Sequence, residues 1–116
     1  MEMKNEVPVI LDFEIKEKKR GLKLDKPRAE GGRDDVIVWS WPKAPKGLFM
    51  ILFPDQSPFE QLEYKDKDGV IRAKIIYDSS QYGAKRFKYI IAASDNKEVF
   101  ILDPEIIVPK PGKYGA

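Results

Sequence analysis

The 116-residue chain contains no cysteine, no histidine and no threonine. Blue copper centres need two imidazoles and a thiolate, and structural zinc sites need thiolates or imidazoles, so neither centre can form. Ser–His–Asp and Cys–His catalytic arrangements are excluded as well, because the base that activates the nucleophile is missing. We therefore expect no cofactor and no transition metal, and only ions with oxygen ligands remain open.

The absence of cysteine also rules out disulfide bonds and fits a reducing compartment, although exported proteins can lack cysteine too. Charged side chains interrupt residues 1–15, which therefore lack the apolar run of a signal peptide. No stretch of the chain reaches transmembrane length. We expect a soluble cytoplasmic protein without a membrane partner, and a signal peptide that has been removed is the open alternative.

The composition is that of an ordinary globular domain, with 42% hydrophobic and 34% charged residues. A chain of this length forms one core, so we predict a single domain over residues 1–116 with a loose C-terminal tail from about residue 110. The net charge of +2 is too small to indicate nucleic-acid binding by bulk electrostatics. Composition alone identifies no partner.

Short apolar segments, separated by glycine, proline and polar residues, predict β-strands. These segments are residues 9–15, 36–41, 47–53, 70–77, 87–93, 99–102 and 106–108. Most alternate with a two-residue period, but residues 47–53 are apolar throughout, which predicts a central strand buried on both faces. The turn at residues 66–69 ends in Asp-Gly and predicts a hairpin. We predict an all-β, single-domain Greek-key sandwich with antiparallel or mixed pairing.

One short helix is also predicted. Ser57, Pro58 and Glu60 match the start of a helix, with a capping side chain, a proline at the first position and an acid three residues after the cap. This pattern predicts one or two helical turns within residues 57–64, and an extended segment held by Phe59 is the alternative. Three polar stretches are predicted as loops and as candidate contact surfaces. They are residues 26–35, 42–47 and 78–85.

The order of these segments carries a resemblance to a known family. The sequences VIVW, FMILF, SPF, FKYII and DPEIIV follow one another between residues 36 and 108. This order resembles the cupredoxin-like β-sandwich, particularly its small metal-free relatives. In copper-binding members, a strand like residues 87–91 leads into a loop with a cysteine, a histidine and often a methionine. Residues 92–98 contain none of these, so the resemblance implies the scaffold without the electron-transfer function.

Two tryptophans and several basic residues are the candidate binding residues. They are Trp39, Trp41, Lys43, Lys46, Arg86 and Lys88. The tryptophans lie two positions apart on one side of their strand, where they either fill the core or form an aromatic platform. An exposed platform with lysines beside it could stack on bases, sugar rings or a partner protein. The last two basic residues alternate with aromatic residues, which fits a solvated outer face as well as a binding patch.

The leading interpretation is a non-catalytic binding or assembly module, which recognises another protein or itself through loops or a strand edge. One alternative is a nucleic-acid-binding β domain, and it predicts that the six candidate residues converge on one surface. The other alternative is an enzyme that uses carboxylates, such as Asp34 with Asp35 or Glu60 with Glu63, or a Ser/Lys pair. It requires a deep pocket in which such side chains face each other.

Overall fold

The computed structural model describes residues 5–44 and 46–111, and three hydrogen-bonded sheets in these ranges pack as two layers. The described elements are β1 (Glu6–Lys16), β2 (Lys19–Leu24), β3 (Arg28–Glu30), β4 (Val36–Ser40), β5 (Leu48–Leu52), β6 (Glu63–Lys65), β7 (Val70–Lys74), α1 (Ser79–Tyr82), β8 (Lys85–Lys88), β9 (Ile90–Ser94), β10 (Val99–Leu102) and β11 (Glu105–Val108).

The first layer is the sheet β2-β1-β4-β7. The first half of β1, residues 6–10, pairs in parallel with β4, and the second half, residues 11–16, pairs antiparallel with β2. On its other side β4 pairs antiparallel with β7. Because β1 continues past the end of β4, the β1–β2 hairpin projects beyond the layer, and Ile15 near its tip is 75% exposed.

The second layer is built around one long hairpin. Only Tyr89 separates β8 from β9, and only two residues separate β10 from β11. The β9–β10 and β8–β11 ladders have the same register offset, and between them the Tyr89 amide donates to the Pro104 carbonyl at 3.0 Å. At one end of the hairpin β3 pairs in parallel with β11, and at the other end β5 and β6 extend the sheet beyond β9. The two smaller sheets therefore form one continuous layer.

Aromatic side chains join the two layers inside the core. Trp39 of β4 reaches across to the second layer, where its Nε1–H donates to the Tyr89 hydroxyl at 3.0 Å. The Tyr89 ring stacks on Phe53 with 5.0 Å between ring centroids, and Phe59 meets Trp39 edge-on at 5.6 Å. Apolar burial over this group is the main stabilising contribution, and the hydrogen bond fixes how the rings meet.

The structure confirms the all-β fold class and the alternation on which it was predicted. The inward residues of β7 and of the β8–β9 strand are buried as expected: Ile71, Ala73, Phe87, Tyr89, Ile91 and Ala93. The Asp-Gly turn before β7 is also present, with φ of 55° at Asp68 and 80° at Gly69. These left-handed values are the ones that a two-residue hairpin turn requires.

The predicted helix at residues 57–64 is wrong. The chain bends between residues 58 and 62 without forming a helix and becomes extended only at Glu63, so the alternative is correct in that Phe59 holds the segment but not in its extended shape. The Ser57 hydroxyl accepts from the Phe59 amide at 3.0 Å, so the capping group closes only a local turn. Pro58 and Phe59 are both buried, and Phe59 packs against three other aromatic rings. The residues after Ser57 have no apolar face with which a helix could pack. The burial of Pro58 and Phe59 therefore decides the conformation of this segment, and the capping pattern does not.

Two of the predicted loops contain regular structure. Residues 26–35 include β3, because Ala29 is fully buried and pairs across the sheet with Ile106. Residues 78–85 include α1, which Asp78 caps by accepting from the Ser80 amide at 3.0 Å. Both elements depend on contacts with distant parts of the chain or on one cap, and neither has the length to produce a periodic pattern.

The predicted loose tail from about residue 110 lies almost wholly outside the described residues. Within residues 5–44 and 46–111, no helix has the length and apolar character needed to cross a lipid bilayer.

Candidate functional site

Both candidate tryptophans are core residues, so the core alternative is the one that describes them. Trp39 is 0% exposed and Trp41 is 2% exposed. Trp41 packs against Phe13 with 5.5 Å between ring centroids. Gly47 lies directly on the Trp41 ring, where an added Cβ would come within 2.7 Å of the ring carbons. In this arrangement neither indole presents a face to solvent.

The four candidate basic residues lie in two separate places. Lys43 and Lys46 line a cleft beside the β9–β10 turn, and Lys43 pairs there with Asp12 at 3.3 Å. Arg86 and Lys88 lie on β8, beyond the opposite end of β9. Since a strand rises about 3.3 Å per residue, the length of β9 separates the two pairs by roughly 20 Å. The six candidate residues do not form one surface, and binding by either basic pair stays a prediction.

The sequence signal that was misread is the continuous apolar run of β5. Residues 47–53 predicted burial on both faces, but only one face is covered: Leu48 is 66% exposed and Leu52 is 38% exposed. The neighbouring strand ends in the same way, because Val99 and Ile101 of β10 are 72% and 63% exposed. Nothing in the described residues covers this side of the second layer, so apolar side chains face outward there.

The outward side chains of β5, β9 and β10 form a single apolar surface, which we call the apolar face. It consists of Leu48, Met50, Leu52, Ile90, Ala92, Ser94, Val99 and Ile101. The strand register places them in rows across the sheet, so that Ala92 lies between Met50 and Ile101. The exposed apolar area of this face is on the order of 400 Å². The largest apolar patch on a single chain is typically of this size and is often functional.

The apolar face is shaped as a trough. The small side chains of Ala92 and Ser94 on β9 form its floor, and the larger ones of β10 and β5 form a ridge on each side. An open depression of about 360 Å³ lies over this floor. A surface with a floor of small residues between two ridges can accept a ridge from another molecule, as packed sheets do inside a sandwich.

The charged groups of the trough lie along one side, on β6 and at the start of the following turn, where Lys65 and Asp66 line the depression. The Asp66 carboxylate accepts from the Phe49 amide at 2.9 Å and from the Gly69 amide at 3.0 Å. It therefore fixes the edge of β5 to the β6–β7 turn. Glu63 and Lys65 of β6 complete the rim with one charge of each sign. The centre of the trough has no charged side chain.

The other half of the same layer carries charges instead. Glu105 of β11 lies in register between Arg28 of β3 and Lys88 of β8, so that a carboxylate alternates with two cations across the strands. The Glu105 carboxylate itself is largely buried and lies 3.9 Å from the guanidinium of Arg86 on β8, and opposite charges on neighbouring strands stabilise a sheet. One outer surface is thus divided into a charged half and the apolar face.

The side chains that could suit an enzyme serve structural roles or remain exposed. A polar cleft near α1 contains Asp78, Ser80 and Arg33. Asp78 accepts from the Ser80 hydroxyl, and pairs with Arg33 at 3.3 Å. The hydrogen bond from Ser80 is the main cause that holds the pKa of Asp78 below its usual value, and the Arg33 charge adds to it. Asp35 accepts from the Gly32 amide at 2.8 Å, and the enzyme alternative stays a prediction.

Among residues 5–44 and 46–111, no three acidic side chains come together as metal ligands would. The protein is an all-β sandwich, and one face of its second layer is uncovered by the described part of the chain. Comparison of the chain with protein-family models and with curated proteins gave no match.

Proposed function

We propose that this protein is a non-enzymatic binding or assembly module, and that the apolar face is the surface through which it contacts another polypeptide. The observation that carries the proposal is the exposure of four aliphatic residues on one face of the sheet, Leu48 and Leu52 on β5 and Val99 and Ile101 on β10. The leading interpretation of the sequence expected loops or a strand edge as the contact. We place the contact with the partner on the apolar face of the sheet instead.

The energetics favour a protein partner of modest affinity. Covering an apolar patch on the order of 400 Å² contributes about 10 kcal/mol at about 25 cal/mol per Å². Association itself costs an estimated 4 kcal/mol or more in lost translational and rotational freedom, so only part of that contribution remains as affinity. The side chains on the trough offer shape and apolar area but no acid–base pair, which supports binding rather than catalysis.

We also propose that the sandwich is of the metal-free, cupredoxin-like type. The support is the order of its strands over residues 36–108 and the turn after β9, which reads Asp95-Asn-Lys-Glu98 where copper-binding relatives have their ligands. On this proposal the scaffold is retained and the metal chemistry is absent.

The nucleic-acid alternative depends on the two basic pairs, because the tryptophans are buried. Binding of a single-stranded oligonucleotide that weakens steeply with salt and is lost when Lys43 and Lys46 are replaced by glutamine would favour it over the protein-binding proposal.

Site-specific photo-cross-linking tests the proposed function. The photoreactive residue p-benzoylphenylalanine replaces Leu48 on the apolar face, or Lys74 on the outer surface of the first layer as the matched control, in cells that naturally make the protein. We expect defined protein adducts from position 48 that disappear when Ile101→Glu is added, and none from position 74. Equal adducts from both positions, or adducts that survive Ile101→Glu, would contradict the proposal.

A further inference from the structure

We infer that the occupant of the trough is a second copy of this chain, with the two apolar faces packed against each other about a two-fold axis. The inference rests on the proposed function, because it names the partner of the same surface. In a two-fold interface, a contact between residue i of one copy and residue j of the other is repeated as a contact between residue j of the first copy and residue i of the second. The surface must therefore be complementary to itself.

The trough has that self-complementary shape. With the axis parallel to the strands and between β9 and β10, the β10 ridge of each copy lies over the β9 floor of the other. The register then places Ile101 of one copy over Ala92 of its partner, and Val99 over Ser94. Large side chains thus meet small ones in both directions, which is how facing sheets interdigitate.

Charge does not oppose the association of two copies. The net charge of the chain is +2, so the overall repulsion between copies is small. Glu63 and Lys65 of β6 place one charge of each sign at the rim, and the Asp66 carboxylate beside them accepts from two backbone amides. An apolar centre with a polar rim is the usual anatomy of a protein interface.

The strand edges favour a closed pair over an open fibre. This half of the layer has two outer strands: β10, whose outer side lies beside β2, and β6, which has only three residues, two of them charged. Short, charged edge strands resist pairing with another sheet. The surface available for association is therefore the apolar face. A two-fold contact covers this face in both copies, so no further copy can add to the pair through it.

The area of the patch predicts a weak, reversible dimer. A stable interface contributes about 800 Å² from each partner, and the apolar face provides roughly half of that before its rim is counted. We therefore expect a dissociation constant of about 10–100 µM. The dimer forms only when the protein is concentrated.

Sedimentation velocity of the intact protein, from about 1 µM to about 1 mM, tests the inference. We expect a monomer–dimer equilibrium that Ile101→Glu weakens at least about tenfold. The matched control is Ile10→Glu, which places the same charge at an outward aliphatic position of the first layer that is 37% exposed. It should leave the equilibrium unchanged. Circular dichroism establishes that each variant is folded.

A second variant separates a fitted trough from general stickiness. Ala92→Phe adds apolar area but fills the floor of the trough, so the fitted dimer should weaken, whereas non-specific association would strengthen. Since the chain has no cysteine, a single introduced cysteine is also the only thiol. A short bismaleimide should link Ile101→Cys protein to Ala92→Cys protein more efficiently than to Lys74→Cys protein.

A chain that stays monomeric up to about 1 mM, or a dimer that neither Ile101→Glu nor Ala92→Phe weakens, would overturn the inference. If the purified chain stays monomeric while position 48 still cross-links to a different protein, the second copy is wrong and the proposed function stands. If position 48 forms no adduct with any protein, in cells or in the purified sample, both are wrong.

Discussion

Inside the core, the side chains of Trp39 and Tyr89 connect the two layers by a hydrogen bond as well as by packing. Burial raises the pKa of the Tyr89 hydroxyl, although the hydrogen bond from Trp39 partly opposes that shift. The strand alternation in the sequence predicts that both residues point inward. It does not predict that they meet, because the layer that each residue faces is set by pairings between distant segments.

Tyr89→Phe should destabilise the protein by about 1–3 kcal/mol, because it leaves the buried Trp39 Nε1–H without an acceptor while the ring remains. Urea denaturation followed by tryptophan fluorescence measures the change. Tyr82→Phe is the matched control: Tyr82 is 67% exposed, and removal of its hydroxyl should have no measurable effect. Equal stability of the two variants would show that the Trp39 hydrogen bond contributes nothing.

Asp95 at the β9–β10 turn makes stability depend on pH in the acid range. The Glu98 amide, then the Lys97 amide and the Arg20 guanidinium, donate to its carboxylate and hold its pKa below the usual 3.8. The ionised form therefore favours the folded state above pH 3.8, and this contribution is lost as the pH falls through the lower folded pKa.

Replacement of Asp95 by asparagine should therefore matter most near neutral pH. The difference in urea midpoint between the natural protein and Asp95→Asn should shrink as the pH is lowered below 3.8. The exposed Asp103, replaced by asparagine, is the control. A difference that stays constant down to the acid-unfolded state would contradict the assigned role of Asp95.

At the scale of elements, the β1–β2 hairpin closes through a turn whose residues do not suit its geometry. Lys16 pairs with Lys19, which leaves Glu17 and Lys18 as the two turn residues, with φ of 51° and 65°. Such turns favour asparagine and glycine, because side chains are strained at these angles. The sequence therefore indicates a charged turn here but gives no hint of a tight hairpin.

Lys18→Gly should stabilise the protein by about 1 kcal/mol, because glycine adopts a positive φ without strain. Lys19→Gly, one position further on, should instead destabilise it by roughly 0.5–1 kcal/mol, since Lys19 lies in a strand. Thermal or urea unfolding of the two variants measures both changes. Opposite signs at adjacent positions are the expected result, and a loss of stability in both variants would contradict it.

The elements that sequence reasoning missed share a physical cause. β3 has three residues, and only its pairing with β11 and the burial of Ala29 make it a strand. The apolar face was missed for the converse reason, since a run of apolar residues shows that a strand favours burial but not whether the chain itself provides a cover. Local pattern predicted which segments are strands, and long-range pairing decided the rest.

For the whole molecule, self-association predicts that thermal stability depends on concentration. A dimer formed only by folded chains stabilises them by mass action. The unfolding temperature of the natural protein should therefore rise as its concentration is raised from well below to well above the dissociation constant, while that of Ile101→Glu should stay constant. Differential scanning calorimetry at several concentrations measures this, and a flat response in the natural protein would argue against the dimer.

The parallel pairing of β3 with β11 joins Arg28 to Glu105, which lie far apart in the sequence. While the polypeptide is being synthesised, the β3–β11 ladder cannot form until Ile106 has left the ribosome. Distant pairings of this kind also make folding slow. β3 must therefore stay unpaired until translation has passed β11, whereas β1, β2, β4 and β7 can already pair with one another.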